Sequence, residues 1–594
     1  MPVVSEGLTK KLINGPEDIV SEAIEGMVSA HPDLLTVEGR TGRAVVAVDG
    51  PRDGKVGIVI GGGSGHEPAF AGYVGRGLAD AAAVGNVFAS PSPEQIMDAA
   101  RAADGGAGVV FLYGNYTGDV LNFDMAVEEC AAAGIPARSV AVADDVASAP
   151  AARAGERRGI AGDFFVFKIA GAAAELGRDL DAVHAAALAA QAATRSMGVA
   201  LSPCSMPQTG KPNFEIGAGE MEIGMGLHGE PGMRRGPLER ADPVTDALVD
   251  PILADMPLTA GDEVAVLVNG LGATGPLELY IVHRRVAQRL AALGVRIHRS
   301  WVGEYATSLE MAGASVTLLK LDDDLKALLE TPCRTPALTV GTAPAPVAGK
   351  SRTRRHDGAS RGSIAVDRST LLRDGPITPA IFRAMMLAAG SAIAANRDWL
   401  SELDGVIGDG DHGVTMDIGW TAVRAALATS PEDETISESS ERMAKAFLDA
   451  VGASSGPLYA SAFRAAGAAV ADRLNLDAGA MTAWLEGISA GIRSRGGAEV
   501  GDKTMIDAWA PAVSAARAAC AAGEELAAVL AAARDGAEAG RDHTAEIESR
   551  RGRSKKLGAR SIGHVDPGAA SAHIILAALA EAAPRDTAQG SGPA

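Results

Sequence analysis

The spacing of apolar residues changes period once along this chain, and that change limits what it can fold into. From about residue 50 to 330, short apolar runs alternate with longer stretches of helical spacing, the pattern of α/β layers. The runs KVGIVI, AGVVFLY, ARSVAVA, DEVAVLVNGL and ASVTLLKL read as strands. Several end directly in Gly-rich or Asp-containing loops, where α/β sheets tend to bind ligands. From about 376 to 582 the spacing is helical throughout, in Ala-rich amphipathic segments such as AIFRAMMLAAGSAIAANRDWL and TMIDAWAPAVSAARAACAA, which predicts an all-helical bundle. Between them, Pro336 to Ser369 is rich in Pro, Gly, Ser and Ala without sustained periodicity and reads as an interdomain linker. Its basic cluster, Arg352, Arg354, Arg355 and His356, reads as a solvated charged face and is assigned no function. The expected organisation is a first domain over 1–335, a linker over 336–375, a helical domain over 376–582 and a disordered tail over 583–594.

Composition supports this division and removes some functions. A chain of 594 residues, 47% hydrophobic and 22% charged, is long and apolar enough for at least two cores. With aromatics at only 4%, those cores must be filled by Ala-rich helices and Val/Ile strands with closely approaching backbones. A formal net charge of -20 argues against nonspecific nucleic-acid binding, so a small anion must be held locally, by backbone amides or metal ions. Cys130, Cys204, Cys333 and Cys520 are scattered without CxxC or zinc-ligand spacing, which suits reduced thiols in a cytoplasmic protein. The N-terminus has no apolar core of signal-peptide length, and no stretch approaches 18 uninterrupted apolar residues, so neither secretion nor a membrane span is expected.

Four segments carry side chains suited to chemistry. GGGSGHEP, at 61 to 68, follows KVGIVI; its glycines admit a ligand close to the backbone and present Ser64 and His66, although such a turn is more often a tight connection. YGNYTGDVLNFD puts Asn115, Thr117 and Asp119 at a strand end, where a carboxylate accepts a hydroxyl proton or merely caps the next helix. GMGLHGEPG leaves His228 flanked by glycines, accessible as nucleophile or base. LDGVIGDGDHG places Asp404, Asp409 and Asp411 within eight residues, a repulsive set that suits Mg²⁺, the competing reading being a solvated acidic cap. No GxxxxGK[ST] loop and no protein-kinase signature is present, so any ATP site is built differently. VGASSGPLY, GDKTMID and RSIGHVDPGA are Gly/Ser-rich breaks whose amides and hydroxyls would face a nucleotide.

Taken in order, GGGSGHEP, GNYTGDVLNFD, GLHGEPG, IGDGDHG, GASSGPLY, GDKTMID and SIGHVDPGA resemble the dihydroxyacetone kinase family over about 5–335 (its DhaK ketone-binding domain) and 376–582 (its DhaL nucleotide-binding domain). The resemblance implies two α/β subdomains followed by an all-α helical barrel or bundle, fused as in the ATP-dependent form of the enzyme. It implies that His228 forms a hemiaminal with the ketone carbon and that Gly63, Ser64, Gly65 and His66 line the ketone site. His66 and Asp119 are then placed to bond hydroxyls and remove the attacking proton. It also implies that Asp404, Asp409 and Asp411 hold two Mg²⁺ ions, that His412, Gly413, Val414, Thr415, Ser454, Ser455, Gly501, Arg553, Asp566, Pro567 and Gly568 surround ATP, and that the protein is a homodimer.

One position departs from the family pattern. A Lys that contacts dihydroxyacetone precedes NYTGD in the family, and Gly114 stands there in this chain. Losing that cation opens space beside the ketone site and favours a longer ketose, such as the four-carbon erythrulose. Two alternatives use the same resemblance: an FAD-AMP lyase that releases cyclic FMN, and a noncatalytic regulator. The intact His228, Asp119 and three-Asp set argues against the regulator.

Overall fold

The computed structural model describes residues 9–342, 368–408 and 410–584, with only the backbone of Ser369, Arg553 and Lys556. The chain divides into two compact units, Met1–Arg352 and Thr353–Ala594. The expected tail beyond 584 and most of the expected linker, 343–367, lie outside the described residues.

The first unit holds two six-stranded sheets. The first contains Leu35–Glu38 (β1), Ala44–Ala47 (β2), Gly57–Ser64 (β3), Ala81–Val87 (β4), Val109–Gly114 (β5) and Ala137–Val142 (β6), in the order β1-β2-β4-β3-β5-β6. Strands β4, β3, β5 and β6 run parallel, and β1 and β2 extend the edge antiparallel. The second contains Thr194–Ala200 (β7), Glu220–Ile223 (β8), Arg234–Pro237 (β9), Glu263–Gly270 (β10), Arg296–Gly303 (β11) and Gly313–Leu321 (β12), in the order β11-β10-β12-β7-β8-β9. Only its β10–β11 pair is parallel.

All five runs read as strands from the sequence are strands, namely β3, β5, β6, β10 and β12. The period missed β4, whose AAAVGNV has the composition of a helix and becomes a strand because β2 and β3 pair with it on both sides. The GGGS segment also differs from expectation: it does not follow the strand but completes it, with Gly61 paired to Ala83 and Gly62 to Val84. Glycine is needed there for close approach, since a Cβ at Gly62 would stand 2.3 Å from the Phe70 ring.

Helices Ile19–Ala30 (α1), Pro93–Ala103 (α2), Thr117–Ala132 (α3), Asp163–Glu175 (α4) and Leu180–Ala192 (α5) cover the first sheet, α2 and α3 on one face and α4 and α5 on the other. Ala241–Asp255 (α6) and Pro276–Ala292 (α7) cover the second sheet, and Asp323–Glu330 (α8) packs on α4. Helix α4, DFFVFKIAGAAAE, is buried from Asp163 to Ala174, as an all-round apolar helix must be. Phe164, Phe165 and Phe167 join Ile58, Ile60 and Leu112 of the first sheet to Ala265, Leu267 and Leu319 of the second in one core. The first unit extends beyond the expected boundary at 335: Cys333–Arg334 pairs with Thr339–Val340, and the Ala337 N–H donates to the Gly72 carbonyl.

The second unit is helical. Pro379–Ala395 (α9), Arg397–Ile407 (α10), His412–Ala428 (α11), Ile436–Ala450 (α12), Ser455–Ala469 (α13), Ala478–Gly496 (α14), Ile506–Ala521 (α15), Leu526–His543 (α16) and Pro567–Ala582 (α17) follow in order. From α11 to α17 each helix packs on the next, α17 returns to α9, and α9 meets α11, which closes a ring with α10 set against α11 and α17. Small residues permit the tight packing: a Cβ at Gly487 on α14 would lie 2.5 Å from the Ala466 Cα on α13. This unit begins before the expected linker end at 375, because the backbone of Leu372 bonds to Asp472 and Leu474.

Candidate active site

Strands β3 and β5 are parallel neighbours, so their carboxyl ends open at the same edge of the sheet. There β3 delivers Gly65 and His66, β5 delivers Gly114 and the turn bearing Tyr116 and Asp119, and β4 ends beside Phe88. Phe88 is held at φ 56°, its N–H donating to the Ser64 carbonyl at 2.9 Å, and its ring stacks on His66 at 5.0 Å. The His66 Nδ1 lies 2.8 Å from the Thr307 carbonyl, which can only accept, so Nδ1 carries the hydrogen and Nε2 presents a lone pair. That lone pair faces His228 Nε2 at 3.0 Å, which assigns the hydrogen between the rings to His228. Burial, reinforced by the neighbouring His228, pushes His66 down to about 3, so its imidazole is neutral near pH 7.

His228 comes from the loop between β8 and β9 and is fixed from behind. Glu230 lies 3.1 Å from its Nδ1 and accepts its backbone N–H at 3.0 Å, and the Asn213 amide donates to its carbonyl at 2.9 Å. The edges of Phe88 and Tyr116 enclose the ring, with centroids 5.1 and 4.7 Å away. Arg158, bonded to Asp145 at 2.6 Å, sets a guanidinium 4.0 Å from Glu230. Gly63 and Ser64 contribute wall rather than reactive groups: the Ser64 hydroxyl donates to the Gly85 carbonyl at 2.8 Å, and the Phe88 backbone covers Gly63.

Asp119 lies buried in the first turn of α3, whose N-cap position is held by Tyr116. Asp163, the first residue of α4, approaches the same corner. A Cβ at Gly114 would stand 3.3 Å from the Tyr116 ring and 3.5 Å from Asp163 Oδ2. Burial, together with the charges of Asp144 and Asp119, raises the Asp163 carboxyl well above the usual carboxylate range, which favours its neutral form. The residue that the family fills with Lys is therefore bordered here by a phenol and by a carboxyl whose burial favours the neutral form.

The second unit brings together the end of α10 and the starts of α11 and α17. Asp404 belongs to α10 rather than to a loop, and its Oδ2 accepts the N–H groups of Asp411 at 3.0 Å and His412 at 3.1 Å, satisfying donors at the start of α11. His412 Nε2 lies 3.0 Å from the Ser571 hydroxyl, which donates to the Gly568 carbonyl on α17. Gly413, Val414 and Thr415 form the first turn of α11, and Gly413 is required because a Cβ there would meet the Arg397 carbonyl at 1.9 Å. Asp566 caps α17 through the Ala569 N–H at 2.8 Å, immediately before Pro567 and Gly568. Burial and Asp404 push the Asp411 carboxyl up to about 7; burial, with Asp507 and Asp404, does the same to Asp566. Asp409 lies outside the described residues.

This oxygen-only, mutually repelling donor set fits a hard divalent cation such as Mg²⁺. Ser454 precedes α13, and the buried Ser455 hydroxyl in its first turn has no hydrogen-bond partner among the described residues, a donor that a phosphate oxygen would complete. Gly501, at φ 95°, donates to Asp507 at 2.6 Å. The backbone of Arg553 opens the short helix Arg553–Ser561. Sequence reasoning missed Lys503 of GDKTMID, whose buried ammonium donates to the carbonyls of Ser561 at 2.6 Å and of Thr544 and His564 at 2.7 Å. It ties the Gly501 turn to the segment that leads into Asp566. It also missed Glu230 and Thr307; Glu230 stands in the quoted GLHGEPG, but Thr307 has no local signal.

A Dak1 domain is matched over residues 25–337 and a DAK2 domain over residues 406–581. The chain belongs to the dihydroxyacetone kinase family. It is of the fused type, with both domains on one chain. It is 40% identical over 585 residues to the L-erythrulose 1-kinase of Mycolicibacterium smegmatis, covering 96% of this chain and 99% of that relative. It is 38% identical over 589 residues to the L-erythrulose kinase of Pectobacterium atrosepticum, covering 98% of each. Among solved structures it is similar to the dihydroxyacetone kinase from C. freundii in complex with AMP-PNP and Mg2+, at 30% identity and TM-score 0.50, over 96% of this chain and 99% of that one. Among the described residues, no helix is long and apolar enough to cross a membrane.

Proposed function

We propose that this family member, an ATP-dependent kinase of small ketoses, captures its substrate as a hemiaminal on His228 and prefers a four-carbon ketose to dihydroxyacetone. The observation that carries the first part is the His66–His228 contact at 3.0 Å, with Thr307 and Glu230 orienting the two rings. In this reading the His228 Nε2 adds to the carbonyl carbon. Its Nε2 hydrogen passes to the His66 lone pair and then to the former carbonyl oxygen, which becomes the hydroxyl of an N–C–OH adduct, while the Glu230 carboxylate beside Nδ1 offsets the positive charge of a ring that also holds a hydrogen there. Asp119 accepts the proton of the terminal hydroxyl that attacks the γ-phosphorus. The aromatic edges of Phe88 and Tyr116 exclude water from the adduct.

Asp404, Asp409 and Asp411 would hold two Mg²⁺ ions, which neutralise triphosphate charge when bound. His412 to Thr415, Ser454, Ser455, Gly501, Arg553 and Asp566 to Gly568 would surround the nucleotide, where helix-start amides and hydroxyls meet phosphate oxygens. The tetrulose preference is supported by Gly114 in place of the family's Lys and by the similarity to erythrulose kinases. A homodimer in the cytoplasm is the proposed setting.

Initial rates with Mg-ATP across D-erythrulose, L-erythrulose, dihydroxyacetone and glyceraldehyde test the proposal. A preference for one tetrulose is expected. Equal or better turnover of dihydroxyacetone would overturn the preference, and a His228→Ala protein with unchanged rates would overturn the covalent capture.

A further inference from the structure

We propose that Tyr116 and Asp163 form a hydroxyl-selecting subsite beside Gly114, which recognises the two hydroxyls of a tetrulose on the side of the carbonyl that is not phosphorylated. The inference rests on the proposed ketose capture at His228 and names what decides its substrate. Two observations converge on one corner of the pocket. The Tyr116 hydroxyl is buried and has no hydrogen-bond partner among the described residues, while its ring stands edge-on to His228 at 4.7 Å. The Asp163 Oδ1 is likewise buried and without a hydrogen-bond partner among the described residues, on a residue only 8% exposed. Both side chains border the same glycine, within 3.3 and 3.5 Å of where a Cβ at Gly114 would be.

Buried polar atoms in folded proteins are nearly always hydrogen-bonded, so one orphan on the ring that meets His228 and a second on the acid beside the same glycine mark groups that a ligand completes. Their chemistry specifies that ligand. A phenol and a carboxyl whose burial favours the neutral form each offer one donor and at least one acceptor, which matches a neutral alcohol better than an amine or a phosphate. Once the carbonyl carbon is on His228 and one hydroxymethyl faces transfer, dihydroxyacetone retains one further hydroxyl and a tetrulose retains two. Two orphans and two hydroxyls are matched only by the longer sugar. Because the inner of those hydroxyls sits on a stereocentre, the same corner discriminates between D and L forms.

The test measures kcat/KM of the full chain for D-erythrulose, L-erythrulose and dihydroxyacetone in wild type, Tyr116→Phe, Asp163→Ala and Asp163→Asn. For Tyr116→Phe and Asp163→Ala, the ratio of the preferred tetrulose to dihydroxyacetone is expected to fall by about 10-fold or more, the cost of leaving a substrate hydroxyl unpaired in a site built for it. Asp163→Asn, which keeps a donor and an acceptor with the same shape, is expected to retain more of the ratio and serves if the Ala protein does not fold. An unchanged ratio in Tyr116→Phe and in the folded Asp163 variants, whatever the absolute rates, would overturn the subsite and leave the kinase reading standing. Wild type that turns over no ketose would overturn both.

Discussion

Around His228 the ring nitrogens are held by fixed partners, whereas where α10, α11 and α17 meet, the carboxyls of Asp404, Asp411 and Asp566 lie near enough for the charge of Asp404 to act on the other two. His66 keeps one proton through Thr307, Glu230 holds His228, and the aromatic edges close the pocket. At the other end Asp411 and Asp566 are raised to about 7 because their charges are buried near Asp404. The difference matches the roles proposed for the two sites. In the proposed reading a nucleophile that adds to a carbonyl is oriented before the substrate arrives, and the groups that hold the His228 ring are already paired with it in the protein alone. A site for a cation and a triphosphate needs charge density that is costly until the counter-ion offsets it.

The comparison is broken most directly by removing charge at the second end. Asp404→Asn keeps a carbonyl oxygen to accept the Asp411 and His412 N–H groups, so the fold is expected to survive while kcat falls by ~10³-fold. Steady-state rates with a circular-dichroism control check this, and an active variant would sink the cation assignment. At the first end, His228→Ala is expected to lower ketose kcat/KM by roughly 10²-fold or more with MgATP binding intact, which calorimetry of nucleotide binding separates. Loss of both together would mean that the two ends are not independently built.

Lys503→Met sharpens the contrast by removing a buried cation that ties together the segments around the proposed nucleotide site. Leaving the Ser561, Thr544 and His564 carbonyls unpaired is expected to cost about 3 kcal/mol in the unfolding of the second unit, measured by urea titration. The smallest effect is a pH slope. His66 has a folded pKa of about 3, below the 6.5 of an unfolded imidazole, so its contribution to stability is complete above pH 6.5 and is lost as pH falls from there toward 3. Between those limits wild type is expected to lose about 1.4 kcal/mol per pH unit more than His66→Gln, read from urea midpoints at several pH values. Parallel slopes would mean that His66 is charged in the folded protein.

Much of the site was legible because its residues sit in short Gly-rich segments whose composition departs from the helices and strands around them. GLHGEPG and IGDGDHG each announce a residue type that neither a core nor a solvated face requires. What those segments do was less legible. GGGS read as a loop and is the end of a strand, because glycine marks close approach as readily as a turn. Asp404 read as part of a Mg²⁺-suited acidic set, with an acidic cap as the competing reading, and is a helix residue that satisfies the start of the next helix. The boundaries at 335 and 375 missed short pairings at Thr339–Val340 and Leu372, which are too brief to carry a period.

The sequence by itself determined the change from α/β layers to helices and the order of the chemical motifs, since each is a local pattern of residue types, and the family resemblance added that Gly114 stands where a lysine is usual. The tertiary structure alone decided that His66 meets His228, 162 positions away, and Thr307, 241 positions away. It also decided that Lys503 is enclosed by carbonyls and that Tyr116 and Asp163 converge on Gly114 with unpaired polar atoms. Periodicity reports which face of an element is buried, but the partner across that face depends on strand order and helix packing, which only the folded chain specifies.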